Sequence, residues 1–134
     1  MKPNIVQNIE KSVDDYNDKL LNELNEKKRE EKYEEKAKVL IDAFEKDIES
    51  LTPVIISKQE NKNHETYTVK YTIDKSSCET KMFTAIINRL YTDYDSVQIK
   101  RKIELKLEEL KYKYFKILQF DGTIVTCFDI EKEK

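Results

Sequence analysis

The residues of this chain able to do polar chemistry are few and widely spaced. There is one histidine, His64, and there are two cysteines, Cys78 and Cys127. Histidine is the one residue type here whose ordinary pKa lies near neutrality. It sits in the most polar stretch, Lys-Gln-Glu-Asn-Lys-Asn-His-Glu over 58–65, which reads as an exposed turn and not as the seat of a general base. Two cysteines and one histidine are too few for a typical structural zinc site within one chain. Cys78 and Cys127 read as reduced structural thiols in a reducing intracellular compartment. Asp93 and Asp95 lie close in sequence, but calcium loops need more oxygen ligands and usually a glycine. They read as helix-end and turn residues.

Gly122 is the only glycine among 134 residues. Phosphate loops and dinucleotide folds need several, so that backbone can approach the ligand closely. These positions imply no catalytic residue, no metal and no cofactor, and the expectation is that the chain is not an enzyme.

Charged residues make up 39% of the chain, yet the net charge is only −2. The total hides an asymmetry. Residues 1–50 carry ten basic and fourteen acidic residues, a net of −4, whereas 96–120 carries seven basic and three acidic, a net of +4. The seven cations are Lys100, Arg101, Lys102, Lys106, Lys111, Lys113 and Lys116. Lys111-Tyr-Lys-Tyr-Phe-Lys116 mixes cations with aromatics, as single-strand nucleic-acid binders do. Strict alternation, however, places Tyr112 and Tyr114 on one sheet face and Lys111, Lys113 and Phe115 on the other. Alternating lysines are also the ordinary solvent face of an antiparallel sheet. A nucleic-acid module using 96–120 is therefore the second reading.

The elements that position these residues follow from punctuation. Pro3 and Pro53 bracket a stretch free of both proline and glycine and rich in Glu, Lys, Leu and Asn. Proline suits a helix start and blocks continuation. The bracket predicts a long helical arm over 1–52, followed by a small body over 53–134. Fully helical, the arm reaches about 70 Å at 1.5 Å per residue.

Two apolar stripes run along the arm. Val6, Ile9, Val13, Tyr16 and Leu20 step by three and four as a heptad seam, widened by Leu21 and Leu24. Tyr33, Ala37, Leu40, Phe44, Ile48 and Leu51 form the second, flanked by Val39 and Ile41. Heptads counted from Val6 run into the charged Lys27 and Glu34, so the second stripe is out of phase. One continuous helix assigns the first stripe to another chain and the second to the body. The competing arrangement is a helical hairpin bent near Asn22–Asn25 that folds both stripes onto one core.

In the body, 53–57 fits a strand. Thr66 to Ile73 alternates strictly, with Tyr67, Val69, Tyr71 and Ile73 on one face. Ser76-Ser-Cys-Glu79 reads as a capping box, opening a helix from about Ser77 to Tyr94. Val97, Ile99, Ile103, Leu105 and Leu107 fall on odd positions and predict a strand. The four-residue steps Ile99, Ile103 and Leu107, then Leu110, offer a helix instead. Asp121-Gly122 between 111–120 and 123–130 signals a hairpin.

The expected class is α+β, in the order α-β-β-α-β-β-β, with a mainly antiparallel sheet. No apolar run approaches membrane-spanning length. The expected function is protein–protein interaction or assembly, with Val6, Ile9, Val13, Tyr16, Leu20 and Leu24 meeting a protein partner or a second copy as a coiled coil. The bias toward Lys, Asn, Ile, Glu and Tyr fits an AT-rich coding genome, which admits a viral or phage structural role.

Overall fold

A computed structural model describes residues 4–134. Pro3, the expected helix start, lies outside the described residues. Helix α1 runs uninterrupted from Asn4 to Glu49, so the bend near Asn22–Asn25 does not occur. Good helix formers fill it, and nothing inside it costs the helix as glycine or proline would. It ends with Leu51 N–H donating to the Ile48 carbonyl at 3.0 Å. Pro53 then forces extended backbone, and β1 begins at Val54.

The remaining elements are β1 (Val54–Glu60), β2 (His64–Ile73), α2 (Cys78–Ile87), α3 (Tyr94–Glu109), β3 (Lys113–Phe120) and β4 (Thr123–Glu133). The four strands form one antiparallel sheet in the order β1-β2-β4-β3. The class is α+β, as the sequence implies. Chain compactness divides it into two units, through Lys32 and from Tyr33 onward. In the first, every described residue is exposed. The second holds the whole core.

That core joins Ala37, Leu40, Ile41, Phe44 and Ile48 of α1 to Phe83 and Ile86 of α2 and Ile103 and Leu107 of α3. The sheet contributes Ile73, Ile117 and Ile124. The second α1 stripe is therefore a core stripe. Phe44 is fully buried, with ring centroids 5.1 Å from Phe83 and 5.5 Å from Phe115. The alternation in β2 holds, with Val69 and Ile73 buried toward the helices and Tyr71 packed against the cluster.

The segment 97–107 is helix, not strand. Period two would bury Leu105 with Ile103 and Leu107. Instead Leu105 is 56% exposed while Ile103 is 0% and Leu107 is 5%. Burial thus follows the four-residue step. Asp93 supplies the start, accepting the Ser96 backbone N–H at 3.1 Å and the Ser96 hydroxyl at 2.7 Å. Those two bonds hold its carboxyl below the usual range.

The helix expected to reach Tyr94 stops at Ile87. Arg89, at φ 60°, takes the left-handed position after the cap. Its N–H donates to the Ile86 carbonyl at 3.2 Å, and Leu90 N–H donates to the Ala85 carbonyl at 3.0 Å. This is a Schellman ending. Helix α3 ends the same way: Lys111, at φ 66°, donates to the Glu108 carbonyl, and Tyr112 donates to the Leu107 carbonyl, both at 3.0 Å. In a chain with one glycine, long cationic side chains occupy positions that glycine usually takes.

The capping box at 76–79 is shifted by one residue. Ser77 is the N-cap and accepts the Thr80 N–H at 3.2 Å. Asp47 of α1, rather than a glutamate in the same helix, accepts the Ser77 backbone N–H at 2.9 Å. Asp121 and Gly122 have φ of 48° and 83°, the both-positive pattern of a type I′ hairpin. No atom lies within 4 Å of a Cβ built on Gly122, so backbone angle, not space, selects glycine there.

Candidate partner-binding surface

The first α1 stripe is built by helical spacing alone. Steps of three and four bring Val6, Ile9, Val13, Tyr16, Leu20 and Leu24 onto one side of the helix. All six are exposed, from 40% at Val6 to 62% at Tyr16. Ile5 and Leu21 widen the strip at its margins and are exposed too. Ile5, Ile9, Val13 and Tyr16 border a shallow depression along the helix. The contrast lies within one helix: Leu40 and Phe44 of the second stripe are 0% exposed. Single exposed apolar residues are unremarkable; here six of them line up as one contiguous strip.

The seven cations of 96–120 are dispersed. Lys100, Arg101, Lys102 and Lys106 lie on α3. At about 100° per residue, Lys100 and Lys102 stand about 200° apart around the helix and do not share a face. Lys111 is the left-handed residue after α3, and only Lys113 and Lys116 belong to β3.

Most of them are also neutralised locally. Lys100 pairs with Glu104, Lys102 with Glu34 at 3.5 Å, Lys106 with Glu109 at 3.8 Å and Lys113 with Glu131 at 2.6 Å. Lys113 accordingly holds the Glu131 carboxyl below its ordinary value. These pairs take four of the seven cations, so no continuous run of free positive charge lies along 96–120 for a phosphate backbone to follow.

The aromatic placement also departs from simple alternation. The β3–β4 register slips between Lys113 and Lys116, so Tyr114 and Phe115 together oppose one residue. Tyr114, at φ 51°, is 79% exposed. Phe115 turns inward beside Tyr112, with centroids 6.1 Å apart, instead of lying on the face opposite Tyr112. Tyr112 and Phe115 are committed to the core and offer no stacking platform.

The other candidate residues have structural partners. His64 opens β2 and is half-buried, with Nε2 3.1 Å from Asn61 Nδ2. The polar turn is thus shorter than expected and spans 61–63. Asp93 caps α3. Asp95 accepts the Tyr33 hydroxyl at 2.6 Å, tying α3 to the compact part of α1. Cys78 and Cys127 are free thiols, the first exposed and the second half-buried. Among the described residues no three His, Cys, Asp or Glu side chains cluster as a metal site would require. No helix among them is long and apolar enough to cross a membrane.

The long-range links Asp47–Ser77 and Tyr33–Asp95 carry no local sequence signal, because partners 30 and 62 residues apart meet only in the fold. No protein-family model matches the chain, and no curated protein is similar to it in sequence.

Proposed function

We propose that the chain is a non-enzymatic interaction or assembly protein whose N-terminal helix binds a second protein chain. One observation carries this reading: six apolar side chains at heptad-like spacing stay exposed on a helical segment that buries nothing within its own chain. Each large apolar side chain fully removed from water contributes about 1.5 to 3 kcal/mol, which gives such a strip a driving force for association. A heptad seam is complementary to itself, so a second copy is the first partner to test.

The test compares the natural chain with a Val13→Asp, Leu20→Asp variant by light scattering across a concentration series. The natural chain is expected to gain mass with concentration. The variant is expected to remain monomeric with an unchanged circular dichroism spectrum, because neither residue belongs to the core. A natural chain of monomer mass throughout the series would overturn self-association through this strip.

A further inference from the structure

Helices α2 and α3 meet at a hollow distinct from the arm. It has a volume of about 440 Å³ and is bordered by Arg89, Tyr91, Thr92, Lys100, Arg101 and Glu104. That volume falls within the range of small-molecule sites, roughly 300 to 1,000 Å³. Three arginines occur in the whole chain, and two of them border this one hollow.

The charge is not balanced locally. Glu104 is the one carboxylate bordering the hollow, and it is taken by Lys100. The border itself thus carries Arg89, Lys100 and Arg101 against Glu104 alone; Asp93 and Asp95 lie outside it, hydrogen-bonded to Ser96 and Tyr33, and Glu108 borders a neighbouring depression with Arg101. Neither the Arg89 nor the Arg101 guanidinium has a carboxylate partner among the described residues. Arg89 is also placed firmly. The Schellman hydrogen bonds at the end of α2 fix its backbone, and Asn88 beside it donates to the Ile117 carbonyl at 2.7 Å.

The chemistry of the border is specific. A guanidinium presents a planar fork of donors that matches phosphate oxygens in pairs. The Thr92 hydroxyl adds a neutral donor. Tyr91, half exposed, supplies an aromatic wall, and Val97 an apolar one. We infer that this hollow binds a small organic phosphate, its phosphoryl group between Arg89 and Arg101 and its aromatic portion against Tyr91. No glycine loop is required, because the donors are side chains and not backbone amides.

Phenyl phosphate is the probe, titrated calorimetrically into the full chain, with inorganic phosphate in a parallel titration. Phenyl phosphate should bind saturably at one site, and more tightly than inorganic phosphate. Arg89→Gly and Arg101→Gln should each weaken it about tenfold, as expected for losing a charge-assisted hydrogen bond. Arg89→Gly suits its left-handed backbone, so weakened binding there cannot be ascribed to unfolding. Lys81→Gln, which removes an exposed charge outside this border, should leave binding unchanged. Absence of saturation would overturn the assignment, as would equal loss in Lys81→Gln. Equal affinity for inorganic phosphate would remove the organic portion of the ligand and with it the inference.

Discussion

At the scale of single residues, the scarcity of glycine is the chain's strongest local constraint. Arg89, Lys111, Tyr114 and Asp121 all adopt positive φ, where an L side chain crowds its own backbone. Lys111 is the cleanest case, being exposed and fixed by two Schellman hydrogen bonds. Lys111→Gly should therefore raise the unfolding free energy by about 1 kcal/mol, measured by denaturant titration. A loss of stability would show that the lysine side chain itself contributes. Tyr112 carries a different residue-scale signature. Burial, then the nearby Glu45 carboxylate, pushes its phenol up to about 12 from an ordinary 10.0. The folded state thus holds this proton more tightly than the unfolded chain. Its contribution is complete below about pH 10 and is lost as pH rises toward about 12. Phenolate absorbance should show a late-titrating group that is missing in Tyr112→Phe. The same variant should lose less stability over that alkaline interval.

At the scale of elements, what could be read from sequence depended on whether the signal was local. Helix α1 was legible because its stripes, its helix formers and Pro53 agree. The β3–β4 hairpin was legible because Asp121-Gly122 specifies a turn by backbone angle alone. Helix α3 was not, because its apolar residues satisfy period two and period four together. Only the exposure of Leu105 beside the burial of Ile103 and Leu107 separates the two, and burial belongs to the tertiary structure. A local cue exists in Asp93, three residues before Ser96 and its N-cap, but the same aspartate also suits the end of a helix running from Ser77. The bulge at Tyr114–Phe115 was illegible for a related reason, since it inverts alternation with no glycine to announce it. The exposed strip on α1 was visible in full from spacing. The hollow beside Arg89 was not, since it joins the end of α2 to the middle of α3, and the boundaries of both were misplaced.

At the scale of the whole molecule, the division after Lys32 makes the folding requirement of α1 unequal along its length. The residues before Tyr33 bury nothing, whereas Ala37, Leu40, Ile41, Phe44 and Ile48 belong to the core. The four larger of these side chains contribute about 1.5 to 3 kcal/mol each. Together they approach the entire net stability of a small domain, about 5 to 15 kcal/mol. Two deletions should therefore behave oppositely. A chain beginning at residue 33 should unfold in one cooperative transition at nearly the natural midpoint, because it keeps every core residue. A chain beginning at residue 50 should show no cooperative transition, because the sheet and the two short helices lose what covers them. The first deletion also bears on association. If the exposed strip carries it, the chain beginning at 33 should be monomeric at concentrations where the natural chain gains mass. Persistent association of that shorter chain would transfer the interface to the compact unit, where the open edge of β1, with Val54, Ile55 and Ile56 exposed, is the surface to mutate next.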